Sequence, residues 1–200
     1  MEFKQVGNVK FVEGGVCAAK GFRANGVRCG LAHKPLTDTE AANAAANNAL
    51  PDTKQKNDLA MIVADTECNA AAVYTTNKVK GAPILVTKEH LRNGKARAVI
   101  VNSVNANTCN PDGVEKAKKM CELTAKELGI SADDVIVAST GVIGQVLPIE
   151  PIANGIPGLA KGLSYDGNAQ ALDAIMTTDT MPKEIAASVV MNVRVVAMLG

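Results

Sequence analysis

Two apolar runs, Ala96–Asn102 and Val135–Ala138, read as buried strands and bracket a segment of helical periodicity. That order restricts the chain to folds that layer helices over sheet. The helical segment follows Pro111, with Asp112 as an N-cap candidate and Glu115 three positions on, the capping-box spacing. Val114, Ala117, Cys121, Ala125 and Leu128 recur at three- and four-residue intervals along it, and Gly129 ends it. Further strands are expected at Leu59–Ala64, Ala71–Thr75, Ile84–Thr87 and Ser188–Val196, the last central in its sheet or paired with a partner. Further helices are expected at Ile149–Leu163 and at Asn168–Ile175, with Asn168 as a cap candidate. The class is α/β, with α+β as the alternative: helices over a mixed sheet.

The chain of 200 residues fits one domain, residues 1–200, with a low-complexity stretch at about 37–56 that reads as an exposed inserted loop. A net charge of +1 gives no electrostatic reason to expect nucleic acid or an anionic membrane as partner. With three Phe, two Tyr and no Trp, the stacking platforms of single-strand binders are missing too. The five cysteines are widely spaced and the two histidines, His33 and His90, lie far apart. No metal site is expected, nor a disulfide framework; a reducing cytoplasm is the expected location. No phosphate-binding or dinucleotide loop occurs, so no cofactor is expected. The N-terminus has no signal-like apolar core, and the apolar stretch from Val189 to Gly200 is broken by Asn192 and Arg194.

The candidate chemistry lies where the run Val135–Ala138 stops at Ser139-Thr140-Gly141. Gly141 lets a backbone N–H approach a ligand closely, and the Thr140 hydroxyl can donate beside it. Two converging donors at a strand end suit the developing oxyanion of acyl transfer. An ordinary strand–turn–strand joint would use the same residues. Thr177, in Met176-Thr177-Thr178-Asp179-Thr180, is a second candidate, although Thr and Asp clusters also end helices through side-chain to backbone bonds. Asn102, Asn105 and Asn107 could bind a carboxylate or serve loop backbone, and we read them as structural. Lys78, Lys80 and Lys183 read as solvated charges.

Ordered blocks resemble the ornithine acetyltransferase (glutamate N-acetyltransferase) family of arginine biosynthesis. They are Gly14-Gly15-Val16-Cys17-Ala18-Ala19-Lys20-Gly21-Phe22, the stretch from Val73 to Pro83, and Val101-Asn102-Ser103-Val104-Asn105-Ala106-Asn107. Ser139 to Gly144, Leu147-Pro148 and Ala174 to Thr180 complete the set. The resemblance implies a precursor that cleaves itself at an Ala–Thr bond into an α and a β chain, assembled as an α2β2 heterotetramer. It implies that the freed Thr attacks the acetyl group of N2-acetylornithine and that the acyl-enzyme passes it to glutamate. By the same resemblance, Thr140 and Gly141 are catalytic as oxyanion donors and Thr177 contacts substrate. Acetyl-CoA serves some members as a further donor.

This chain departs from the family where Val104 replaces a Gly and Ala19 a Pro; a φ above zero at Val104 would strain it. After Val196 it runs Ala197-Met198-Leu199-Gly200, without the family's Lys or nucleophilic Thr, so the nucleophile is expected on the second chain. Two other readings stay open: a non-catalytic homologue that binds a small amino acid, and an N-terminal-nucleophile-like aminopeptidase or amidase.

Overall fold

The computed structural model describes residues 8–31, 56–191 and 194–199, with side chains described as far as residue 189. Strands β1 (Val9–Val12), β2 (Phe22–Val27) and β3 (Leu59–Asn69) lead to helix α1 (Ala82–His90) and strand β4 (Lys95–Asn102). Helix α2 (Gly113–Leu128), strand β5 (Val135–Ser139), and helices α3 (Ile149–Lys161) and α4 (Asn168–Ile175) follow. Strands β6 (Ala186–Met191) and β7 (Arg194–Leu199) come last.

A four-stranded mixed sheet in the order β2-β3-β4-β5 carries the architecture. The β2–β3 and β3–β4 pairs are antiparallel, whereas β4 and β5 run parallel, joined by the α2 crossover. Alternation along β3 assigns the two faces. Leu59, Met61 and Val63 join Ile100, Val135 and Val137 beneath Val86, Met120, Cys121, Ile152, Ile156 and Leu159 of α1, α2 and α3. Ala60 faces the other way with Ala24, against Ala171 and Ala174 of α4. Small residues let α4 close on β2: a Cβ at Gly26 would stand 1.9 Å from the Gln170 carbonyl oxygen.

The observed elements correct several expectations. Ile84–Thr87 is helical, because Pro83 opens α1 and its β-branched residues pack into the core and against β5. Ala71–Thr75 forms no strand: Val73 is 99% exposed, and the segment pairs with no strand among the described residues. Ser188–Val196 is two strands: β6 and β7 form an antiparallel hairpin, with β6 central between β1 and β7. The expected capping box is absent: Asp112 holds the N-cap position without a side-chain cap bond and lies 4.0 Å from Lys116. Val114 is 41% exposed, and Met120 and Thr124 fill the stripe instead. Asn168 begins α4 behind Gly167 and accepts from Val16 N–H at 2.9 Å, which ties α4 to the N-terminal segment. The expected insertion at 37–56 lies outside the described residues, Lys56 excepted.

Candidate active site

Parallel pairing puts the carboxyl ends of β4 and β5 at one edge of the sheet, Asn102 opposite Ser139, the usual location of ligand sites in such sheets. Because β3 is antiparallel to β4, its amino end, Leu59 opposite Asn102, lies at that edge too. The residues after β4, after β5 and before β3 therefore converge. Asn57 N–H donates to Asp173 Oδ2 at 3.0 Å and draws the end of α4 to the same place.

Beyond the sheet the two parallel chains remain joined. Thr140 N–H donates to the Asn102 carbonyl at 3.0 Å, Val142 N–H to that of Val104 at 2.9 Å, and Ala106 N–H to that of Val142 at 2.9 Å. Gly141 sits between these bonds with φ +133°, where a Cβ would fall 2.1 Å from the Val104 carbonyl carbon. Only glycine fits. Val104 itself adopts φ 77°, the strained left-handed conformation anticipated for a β-branched residue at this position.

Buried asparagines brace the loop. Asn102 accepts from Ser139 Oγ at 2.6 Å and donates to the Asn105 carbonyl at 2.8 Å. Asn105 Nδ2 donates to the Gln145 carbonyl at 3.0 Å, and Asn107 Nδ2 to that of Gly113 at 2.9 Å. They serve loop backbone, as the sequence reading held. Buried Asp58 accepts from the N–H groups of Cys29 and Gly30, and its own carbonyl takes Ser103 N–H at 2.9 Å.

These segments enclose a cavity of about 560 Å³ lined by Thr140, Gly141, Ser103, Val104, Lys56 and Thr177, among others. Thr140, Gly141 and Thr177 are thus brought together, from the end of β5 and the end of α4. Among the described residues, neither Gly141 N–H nor Thr140 Oγ1 has a hydrogen-bond partner. Thr178 also lines the cavity. Lys183, 2.5 Å from Asp179, holds that carboxyl below its ordinary range through a charge-assisted hydrogen bond, outside the cavity wall.

Lys56 and Asn57 are the residues that sequence reasoning missed. Lys56 Nζ donates to the Met176 carbonyl and reaches that of Thr177 at 3.4 Å, fastening the segment that presents Thr177. The one available signal was their position just before the apolar β3 run. No cluster of metal-ligating side chains occurs among the described residues, and no helix among them is long and apolar enough to cross a membrane.

Comparison with known proteins places the fold in a known family. The arginine biosynthesis bifunctional protein ArgJ of Geobacter sulfurreducens is 52% identical over 127 residues, 63% of this chain and 32% of that protein. The ArgJ of Symbiobacterium thermophilum is 41% identical over 180 residues, 90% of this chain and 40% of that protein. The chain therefore spans well under half the length of these relatives. Among solved structures, that of ArgJ from Bacillus halodurans superposes with a TM-score of 0.79 at 36% identity, covering 96% of this chain and 91% of that one. That of ornithine acetyltransferase from Mycobacterium tuberculosis, complexed with ornithine, gives a TM-score of 0.74 at 33% identity, covering 90% and 88%. The ArgJ family matches over residues 41–200, and the chain belongs to it.

Proposed function

We propose that this chain is the α chain, a single domain over residues 1–200, of a glutamate N-acetyltransferase that moves an acetyl group from N2-acetylornithine to glutamate. Thr140 and Gly141 supply the oxyanion hole and Thr177 part of the substrate site. The observation that carries this reading is the convergence of Thr140, Gly141 and Thr177 on one cavity, with two donors at its wall that have no partner among the described residues.

The chemistry needs a nucleophile, taken to be the N-terminal Thr of a β chain released by self-cleavage of a common precursor. Its hydroxyl oxygen attacks the acetyl carbonyl carbon while its proton passes to the chain's own amine. Charge gathers on the carbonyl oxygen, where Gly141 N–H and Thr140 Oγ1–H donate to it. Collapse breaks the C–N bond; ornithine leaves with the proton, and the acetyl group remains as an ester on Thr. The α-amine of glutamate then attacks that ester through the same oxyanion, restoring the Thr hydroxyl. Transfer between two amino acids by this route needs no metal or nucleotide cofactor; acetyl-CoA is a further donor to be tested.

Two observations support a two-chain enzyme, proposed as a cytoplasmic α2β2 heterotetramer. The solved chains from Bacillus halodurans and Mycobacterium tuberculosis are covered to 91% and 88%, while the curated relatives run much further. A family polypeptide divided into two chains accounts for both figures. Separately, the ornithine in the Mycobacterium tuberculosis structure supports the proposed substrate. The loop after Gly141 also holds Val142, Ile143 and Val146 in solvent at 49%, 63% and 60% exposure, an apolar surface beside the cavity that suits a covering chain.

Kinetics on the complete two-chain enzyme tests the proposal. An acyl-enzyme gives parallel double-reciprocal lines for N-acetylornithine and glutamate. Intersecting lines would indicate direct transfer, and release of free acetate without glutamate would favour the amidase reading. Intact-mass measurement should find a second polypeptide that begins with Thr.

A further inference from the structure

Asp58 is fully buried at the entrance to β3, immediately before Leu59. Burying a carboxylate costs stability unless hydrogen bonds compensate. Here both oxygens are engaged: Oδ1 accepts from Cys29 N–H at 2.6 Å and Oδ2 from Gly30 N–H at 3.1 Å. Two adjacent N–H donors need two acceptors. An amide side chain would meet one of them with its own NH2 group.

The main chain of the same residue carries the link onward. Asp58 N–H donates to the Val27 carbonyl at 3.0 Å, and its own carbonyl accepts from Ser103 N–H at 2.9 Å. Ser103 is buried and lines the cavity. The next residue, Val104, gives its carbonyl to Val142 N–H at 2.9 Å, and Gly141 packs on that carbonyl. On the other side Cys29 is lodged against α3, where a Cβ at Gly155 would fall 2.6 Å from Cys29 Cβ. Asp58 therefore joins the helix layer, through Cys29, to the main-chain joint that orients Gly141 and Thr140. Lys56 ties the Thr177 segment separately, through the carbonyls of Met176 and Thr177.

We propose that Asp58 is a positioning residue for acetyl transfer: its buried carboxylate fixes the segment after β4, so that Gly141 N–H and Thr140 Oγ1 are aimed at the oxyanion before it forms. The proposal rests on the acetyltransferase reading above. Donors that need no reorganisation are what make an oxyanion hole effective. A displacement of about 1 Å can lower the rate by on the order of 10²-fold, even when the altered residue lies away from the chemistry. The charge exists only in the transition state, so the loss falls on kcat rather than on KM.

The test uses the complete two-chain enzyme, assayed well below the unfolding temperature of every variant. Asp58→Asn is nearly isosteric and keeps one acceptor; kcat with N-acetylornithine should fall about tenfold, with KM little changed. Asp58→Ala removes both acceptors and should fall further. Combined with Thr140→Ala, Asp58→Asn should lower kcat by less than the product of the two single losses, because both act on the same oxyanion. Met120→Ala opens the core beneath α2, lines no part of the cavity, and should lower Tm while keeping kcat. Single losses that simply multiply, or a Met120→Ala enzyme that slows as much as Asp58→Asn, would reduce Asp58 to a stabilising residue and overturn the proposal. An unchanged kcat in folded Asp58→Asn would overturn it too, and would leave the acetyltransferase reading standing. If the unaltered enzyme transfers no acetyl group, that reading fails first, and this one with it.

Discussion

Thr87 Oγ1 both donates to the Val137 carbonyl at 2.9 Å and accepts from Val137 N–H at 3.2 Å, so one hydroxyl on α1 closes the free edge of β5. One helical turn on, His90 Nδ1 meets the Val135 carbonyl at 2.8 Å. An edge strand with open backbone groups invites pairing with other chains, and here side chains occupy those groups. The same clamp fixes the strand that ends at Thr140. Thr87→Val keeps the shape but removes both bonds, leaving a buried N–H and C=O without partners. Destabilisation of about 1–3 kcal/mol is expected from urea unfolding. Thr87→Ser should recover most of it.

The cysteines should separate by reactivity. Burial pushes the Cys29 thiol up to about 12, with the nearby Asp58 carboxylate adding to the effect, and burial pushes Cys121 up to about 12 as well. Cys109 is exposed. Alkylation of the folded protein near pH 8, followed by peptide mass analysis, should label Cys109 first and Cys29 and Cys121 last. Because the folded thiols ionise above the ordinary value of 9.0, their contribution to stability is complete below that pH. It is lost as pH rises towards 12, where the unfolded chain releases protons that the folded chain keeps. The urea midpoint should fall through that window, and equal labelling of Cys29 and Cys109 would contradict the burial.

How far the sequence was legible follows from which forces were local. Strands β4 and β5 and helix α2 were readable because their apolar periodicity already names the buried face, and Gly129 does end α2 in the left-handed conformation. Ile84–Thr87 misled because β-branched residues favour strands on average. Burial of Val86 and the bonds of Thr87 to Val137 reward a helix here, outweighing that preference. Thr140, Gly141 and Thr177 could be nominated from local composition and family resemblance. Lys56 could not, since its position depends on the antiparallel register of β3 with β4, a long-range pairing that no local pattern encodes.

Lys56 supplies a prediction of its own. Its ammonium group holds the carbonyls of Met176 and Thr177 where α4 ends, and it stands in the cavity wall. A hydrogen bond from a charged donor contributes more than a neutral one, on the order of 1.5–3 kcal/mol. Lys56→Met retains the aliphatic stem and removes the donor. If Thr177 helps bind substrate, KM for N-acetylornithine should rise about tenfold with kcat changed much less. An unaltered KM would separate Lys56 from substrate binding and leave it a structural tie.

Thr140 and Gly141 should respond differently to the same small substitution. Thr140 is half-buried and its backbone N–H is already committed to Asn102, so Thr140→Ala removes a hydroxyl without disturbing the joint between β4 and β5. Stability should change by less than about 0.5 kcal/mol. Turnover should fall by about 10²-fold, the usual loss for one oxyanion donor, with KM nearly unchanged because the developing charge exists only in the transition state. Thr140→Ser restores a hydroxyl and should recover part of that rate. Gly141→Ala adds a Cβ 2.1 Å from the Val104 carbonyl carbon and 2.2 Å from its oxygen, at a φ that side chains rarely adopt. The two chains must part there, breaking the Val142–Val104 bond and displacing the N–H that would serve the oxyanion. Thermal unfolding and activity should both suffer, the activity by more than in Thr140→Ala. A Thr140→Ala enzyme with full turnover would leave only the turn reading of Ser139-Thr140-Gly141. A stable and active Gly141→Ala enzyme would show that the close packing on Val104 does not govern the site.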